Sequence, residues 1–131
     1  PSAGSGAPPA ADVAWTAAQA ERLTATGEHR AAARLWRRTG EELARRHGED
    51  HPRVFECRLR AARAHVPLGE TDRALRLLRG LLRDRARADG PEHPAVRDLE
   101  REIARLSAEA PGATGPASAP DRPRPTPSRG R

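Results

Sequence analysis

Apolar residues recur along the middle of the chain at the spacing of helices. The broadest stripe lies between residues 71 and 88 and consists of Ala74, Leu75, Leu77, Leu78, Leu81 and Leu82. This width predicts a helix that is buried on more than one side. A narrower stripe between residues 94 and 109 consists of Val96, Leu99, Ile103 and Leu106. Its one-sided pattern predicts a terminal helix whose other side faces solvent.

Residues typical of helix ends divide this segment further. Pro52 and Pro94 suit the first helical position, where a missing N–H costs nothing. Gly69 suits a left-handed helix stop, and Pro67 is expected to end or kink the turn before it. The predicted helices cover residues 12–26, 29–47, 52–67, 71–88 and 94–109. Because β-branched and aromatic residues are scarce, the segment disfavours a β-sandwich.

The middle of the chain also repeats itself with an offset of 42 residues. The matching residues are Gly48, His51 and Pro52 with Gly90, His93 and Pro94, Gly27 with Gly69, and Arg34 with Arg76. Alanines stand at the same steps, at Ala20, Ala62 and Ala104. Several matches at one period predict a repeat architecture. His51 and His93 hold equivalent places, which predicts a structural role for both in the turns.

Over residues 12–109 this pattern resembles the tetratricopeptide repeat in its longer, kinesin-light-chain-like form. The shared features are the Gly-x-x-His-Pro turn and the Ala-x-x-x-aromatic contact of the second helix, here Ala32 with Trp36 and Ala74 with Leu78. The family's paired asparagines would fall at Leu59 and Arg60, and the chain has no Asn. The resemblance implies an all-α fold, a short right-handed solenoid of antiparallel helix pairs with five helices, two and a half repeats and disordered ends.

The resemblance also implies an adaptor whose inner surface, lined by first helices, binds a protein or peptide segment. Helical spacing places these candidate partner-binding residues on that surface: Glu21, Glu56, Arg63, Asp98, Arg101 and Arg105. Its three arginines would clamp a carboxylate, so an acidic partner is expected. The alternative is a solvated face whose charges only pair among themselves. Because the chain has no Asn, it lacks the side chains with which related arrays grip a peptide backbone.

Composition separates three regions of the chain. Residues 1–11 are predicted to be a flexible linker, residues 12–110 the helical-repeat domain and residues 111–131 a disordered tail rich in Pro and Arg. The domain carries 20 Arg and 17 acidic residues, a net charge of +3, and the tail adds four Arg and Asp121, again +3. Since the charges of the domain are interleaved and aromatic residues are few, the sequence argues against nucleic-acid binding.

All 24 basic residues are Arg, so no lysine is present for a phosphate-binding loop, a Schiff base or a kinase active site. This usage is typical of a GC-rich genome such as an actinobacterial one. A helix break between His47 and His51 keeps the two rings from sharing one helix face, so no metal or cofactor site is expected. His65 is predicted to lie at the edge of the core. Cys57, the single cysteine, is predicted to be a small buried hydrophobe. We therefore expect a protein that is not an enzyme, that lacks a membrane span and that resides in the reducing cytoplasm.

The sequence leaves two alternatives to an independent interaction module. The first is a regulatory or oligomerisation domain of a larger enzyme or regulator, such as a bacterial serine/threonine kinase or transcription factor. Because two and a half repeats are few for an independent array, a homo-oligomer is also considered, with a second copy covering the first helix or the 71–88 helix.

Overall fold

The structure is a computed structural model that describes residues 9–109, with side chains from residue 13 onwards. The predicted tail and residues 1–8 of the predicted linker lie outside this range. Five α-helices follow one another: α1 Pro9–Ala25, α2 His29–His47, α3 Pro52–Arg63, α4 Thr71–Asp89 and α5 Pro94–Glu109. No strand occurs between residues 9 and 109, so the prediction of an all-α chain with five helices is confirmed.

Two helix ends differ from the prediction, and proline explains both. Helix α1 begins at Pro9, three residues early, because proline is pre-organised for the first turn of a helix. Helix α3 ends at Arg63 rather than near residue 67. Pro67 has no N–H, and its ring would clash with the carbonyl of Arg63 in a continuing helix. The chain instead tightens into i→i+3 turns, in which His65 and Val66 donate to the carbonyls of Ala62 and Arg63.

The four connections alternate between two kinds of turn. Glycines with φ between +80° and +97° occupy residues 27, 48, 69 and 90, each 21 residues after the last. A left-handed conformation of this kind is strained for any residue with a Cβ. After Gly48 and Gly90 the ring Nδ1 of His51 accepts from the backbone N–H of Arg53, and that of His93 accepts from Ala95, each at 3.0 Å. The predicted structural role of these two histidines is therefore confirmed.

Each helix packs on the next one along the chain. A first hydrophobic cluster joins α1, α2 and α3 and consists of Val13, Ala20, Ala32, Trp36, Leu43, Val54, Cys57 and Ala61. A second joins α3, α4 and α5 and consists of Leu59, Ala62, Leu75, Leu78, Leu99 and Ile103. Helix α3 thus contributes opposite faces to both clusters, which makes it the centre of the molecule.

Small residues set how closely the helices approach. Ala20 and Ala62 have no exposed surface, as the repeat predicts, whereas the equivalent Ala104 is exposed because no helix follows α5 among residues 9–109. A Cβ added to Gly40 in α2 would lie 3.2 Å from the Cβ of Cys57 in α3. The core is therefore built from close helix contacts and needs few large side chains.

None of the helices between residues 9 and 109 combines the length and the apolarity needed to cross a lipid bilayer.

Candidate functional site

A groove of about 670 Å³ lies between α2 and α4, and α3 contributes to its floor. We call it the α2/α4 groove. Helix α2 lines it with Arg30, Ala33, Arg34, Arg37 and Glu41. Helix α4 lines it with Arg73, Arg76, Leu77, Gly80, Leu81 and Asp84. Helix α3 and the turn after it contribute Arg58, Ala61, Ala62 and His65.

Helical periodicity explains why these side chains share one surface. Residues 30, 34, 37 and 41 recur at i, i+4, i+7 and i+11, and residues 73, 76, 80 and 84 recur at i, i+3, i+7 and i+11. Each set forms a single stripe along its helix. Because α2 and α4 both pack on α3, the two stripes become opposite walls of one groove.

The floor of the groove is apolar and made of small residues. Ala33, Ala61 and Ala62 are buried there, whereas the side chain of Leu77 is 42% exposed. Gly80 stands in the interior of α4, where a Cβ would meet only the guanidinium of Arg83, at 3.8 Å. Glycine weakens a helix interior relative to alanine, and nothing within residues 13–109 uses the space. The groove therefore offers an exposed leucine beside room for another chain to approach closely.

The walls carry an excess of positive charge. Six arginines face two carboxylates, those of Glu41 and Asp84. Arg30 is paired with Glu70 at 3.1 Å and Arg58 with Glu49 at 2.7 Å. The other four form no ion pair with any residue between 13 and 109; they are Arg34, Arg37, Arg73 and Arg76. With no carboxylate between residues 13 and 109 paired to them, these four guanidinium groups can form paired hydrogen bonds with the carboxylates of a ligand.

The charge of the groove also changes along its length. The Arg30–Glu70 pair places the start of α2 beside the start of α4. A smaller cavity of about 240 Å³ joins Glu49, just after α2, to Arg87 near the end of α4, and it shares Asp84 with the groove. Both helices therefore begin at the same end of the groove. That end is cationic, and the opposite end holds the two carboxylates.

A hydrogen-bonded cluster holds the cationic end in place. The buried ring of His65 brings Nδ1 within 2.8 Å of one carboxylate oxygen of Glu70, and Arg30 donates to the other at 3.1 Å. The hydrogen bond with His65, and then that with Arg30, lowers the pKa of the Glu70 carboxyl below its ordinary value of 4.5. The cluster ties the start of α2 to the turn that precedes α4. His65 thus has the core-edge place that the sequence predicts.

The lowered pKa of Glu70 predicts a dependence of stability on acid. Since the folded pKa lies below the unfolded value, the stabilisation is complete above about pH 4.5 and is lost as the pH falls through the folded pKa. We expect Glu70→Gln to lower the melting temperature at pH 7, and we expect the difference in melting temperature from wild type to narrow as the pH falls below about 4.5. Thermal unfolding followed by circular dichroism checks this, with the solvated Glu109→Gln as a control. A gap that does not change with pH would contradict it.

The partner-binding residues predicted from the sequence form a different surface, where most of them are already paired. Arg60 binds both Glu21, at 2.8 Å, and Glu56, at 3.0 Å. Arg63 forms two hydrogen bonds of 2.8 Å with Glu102, which raise the pKa of the arginine.

The last helix completes this predicted surface. Arg101 is bonded to Asp98, and Arg105 forms no ion pair with a residue between 13 and 109. Of the three arginines expected to clamp a carboxylate, only Arg105 is therefore free of a carboxylate partner within that range.

These ion pairs have a structural consequence. Glu21 with Arg60 joins α1 to α3, and Arg63 with Glu102 joins α3 to α5. Each link crosses 39 residues of sequence, so the charges tie together helices that are not neighbours in the chain. None of the six predicted residues lines the α2/α4 groove.

Sequence reasoning missed the arginines of the groove, although one signal for them was present. Arg34 and Arg76 are equivalent under the 42-residue repeat, and both lie on second helices. The family resemblance implies a binding surface on first helices, and these two arginines therefore lie outside it. Leu77, which follows Arg76, was predicted to be part of a broad buried stripe and is instead half exposed.

Other chemistry finds little support within residues 13–109. No group of three or more potential metal ligands occurs there, although the rings of His47 and His51 lie 4.9 Å apart. The Cys57 side chain is buried in the first cluster, as predicted, and burial raises the pKa of its thiol. A neutral, enclosed thiol is a poor nucleophile.

No family model, curated protein or solved structure matches this chain. The charge, shape and position of the α2/α4 groove are therefore the observations that bear most directly on function.

Proposed function

We propose that the chain is a protein-interaction module that binds an acidic, amphipathic segment of a partner protein in the α2/α4 groove. The observation that carries this proposal is the set of four arginines around Leu77 that form no ion pair with residues 13–109. The module acts by binding, not by catalysis. Carboxylates of the segment bind the arginines, and its apolar side chains pack on Leu77 and the space beside Gly80.

The proposed architecture is a short right-handed solenoid of antiparallel helix pairs that resembles a tetratricopeptide array. Three observations support it: consecutive helices pack in order, the glycine turns recur every 21 residues, and α3 packs on both sides. In such an array the groove lies between two second helices. The bound segment therefore occupies the outer surface, not the inner surface that the family resemblance implies.

The state of the inner surface favours the outer site. To clamp a partner carboxylate, Arg63 would first have to release both hydrogen bonds to Glu102, whose side chain is only 14% exposed. Losing an existing charged pair offsets most of the gain from a new one. Arg34 and Arg76 in the groove have no such partner among residues 13–109.

The chemistry of the groove also favours a protein partner over a nucleic acid. Single-stranded nucleic acids bind where exposed aromatic side chains stack on bases. The residues lining the groove include no Phe, Tyr or Trp, and the ring of His65 is buried there. Glu41 and Asp84 at one end would repel a continuous phosphate chain. An acidic peptide with one basic end matches this charge pattern.

Fluorescence anisotropy with three labelled 15-residue peptides tests the proposal. The first is an amphipathic helix with Glu on its polar face and Leu on the other, the second replaces every Glu by Arg, and the third scrambles the first. We expect only the first to bind, and to bind more weakly as NaCl rises from 50 to 300 mM. Equal binding of all three peptides, or of none, would overturn the proposal. Tighter binding of a single-stranded oligothymidine than of the Glu peptide would also overturn it.

A further inference from the structure

Trp15 on α1 is an exposed aromatic residue at a position that the repeat normally buries. Its side chain is 61% exposed. Under the 42-residue offset its equivalents are Cys57 in α3 and Leu99 in α5, which are 4% and 2% exposed. Cys57 packs back on α2, and Leu99 packs back on α4. In α3 and α5 this face of the helix packs on the preceding helix. Trp15 lies on the equivalent face of α1.

The rest of that face of α1 is open as well. Gln19 and Arg22 correspond to Ala61 in α3 and to Ala64 just after its end, both of which are buried. Gln19 is only half-buried, and Arg22 is exposed. No helix precedes α1 among residues 9–109, so nothing in that range covers the face. We call the surface formed by Trp15, Ala18, Gln19 and Arg22 the α1 face.

The opposite end of the array does not need a cover. In α3 the side chains of Phe55 and Leu59 pack toward α4. Their equivalents in α5 are Arg97 and Arg101, which are exposed. A charged outer face is what closes a repeat array toward water. The array thus has a polar end at α5 and an apolar, uncovered residue at α1.

We propose that the α1 face is a dimer interface, covered by the α1 face of a second copy of this chain. The two helices cross antiparallel around a two-fold axis near Ala18 and Gln19. In this register Trp15 of one copy lies opposite the partner subunit's Arg22, and the symmetry repeats the contact. A two-fold interface requires such self-complementarity, and this face provides it.

Contacts between an arginine and an aromatic ring already occur between residues 13 and 109. The guanidinium of Arg60 lies 4.9 Å from the ring centre of Trp36, and that of Arg85 lies 4.6 Å from the ring centre of Phe55. Arginine over an aromatic face is favourable, most of all when water is excluded. The exposed Ala14 and Ala18 let two helices approach closely, and Glu21 beside them is already neutralised by Arg60.

Sedimentation equilibrium of the full 131-residue chain from 5 to 500 μM tests the proposal. We expect a reversible monomer–dimer equilibrium and at least about tenfold weaker association for both Trp15→Ala and Arg22→Glu, since an aromatic anchor dominates such interfaces. Unchanged helicity by circular dichroism shows that the variants fold. A wild-type chain that stays monomeric over this whole concentration range would overturn the proposal, and the α1 face would then be open to a different protein. Dimers that ignore both substitutions would overturn it equally.

Cysteine cross-linking locates the interface independently. Ala18→Cys places a thiol near the proposed axis, and Ala108→Cys places one on the polar outer side of α5; both alanines are exposed and helical. Under mild oxidation we expect a disulfide-linked dimer from Ala18→Cys and little from Ala108→Cys, while the buried Cys57 stays reduced. Preferential cross-linking at residue 108 would show that the copies meet elsewhere.

Discussion

Replacing Leu78 by alanine is expected to lower the free energy of unfolding by about 2–5 kcal/mol. Leu78 has no exposed surface and packs within the second cluster, between α3 and α5. A cavity at this position would be lined by three helices that cannot all move to fill it. Because domains of this size are stable by only about 5–15 kcal/mol, the loss is a large share of the total. Urea unfolding followed by circular dichroism measures it.

The adjacent leucine provides the matched control for this substitution. Leu77→Ala removes the same atoms from the same helix, but from a side chain that is 42% exposed in the groove. We expect it to lower the free energy of unfolding by less than about 1 kcal/mol and to weaken binding of the Glu peptide. Equal loss of stability in the two variants would mean that Leu77 is buried in solution, and would remove the apolar floor from the proposed site.

This pair of leucines also shows how far the sequence could predict the fold. The stripe of apolar residues correctly placed α4, and the 42-residue offset correctly placed the turns. Both Leu77 and Leu78 belong to that stripe, so periodicity alone assigns them the same burial. The difference in burial between Leu77 and Leu78 depends on the distance between α2 and α4. Because 23 residues of chain separate these two helices, local sequence patterns do not determine that distance.

The end of α3 was predictable in kind but not in position. Pro67 was expected to end or kink the helix, and the structure ends it four residues earlier, at Arg63. The difference follows from where proline acts, because the ring obstructs the carbonyl of the residue four positions before it. The turn at residues 64–69 that follows the helix places His65 beside Glu70.

The electrostatic part of the site was the least predictable. Helical spacing placed Arg63 and Arg101 on a charged face but gave no account of their partners. Glu102, the partner of Arg63, lies 39 residues along the chain. Whether an arginine can bind a ligand depends on such contacts between helices. Only the packed structure therefore distinguishes Arg34 and Arg76 from arginines that already form ion pairs within residues 13–109.

The two proposed surfaces are compatible with each other. No residue of α1 lines the α2/α4 groove, so a dimer formed through the α1 face leaves both grooves open. Two grooves in one assembly would bind a partner that carries two acidic segments more tightly than either groove alone. Trp15→Ala would then weaken binding of a tandem peptide while leaving binding of a single Glu peptide unchanged, which keeps the tests of the two surfaces separate.

Reversing two charges in the groove is expected to have the largest effect on binding. Arg34 and Arg76 are exposed equivalents on facing helices and form no ion pair with residues 13–109. Each is proposed to donate to a carboxylate of the bound segment, a contact worth about 1.5–3 kcal/mol. The double variant Arg34→Glu with Arg76→Glu should therefore bind the Glu peptide at least about 100-fold more weakly, since two such contacts are lost and 1.4 kcal/mol corresponds to about tenfold.

A control with the same change in charge isolates the role of position. Arg38→Glu with Arg79→Glu alters one exposed arginine on each of the same helices, and neither lines the groove. We expect this variant to bind the Glu peptide only a few-fold more weakly than wild type, because its changed charges act on the peptide only at long range. At 300 mM NaCl, where salt screens such interactions, the variant and wild type should bind with equal affinity. If the two double variants weaken binding equally at that salt concentration, net charge rather than the groove attracts the peptide, and the site proposed between α2 and α4 is wrong.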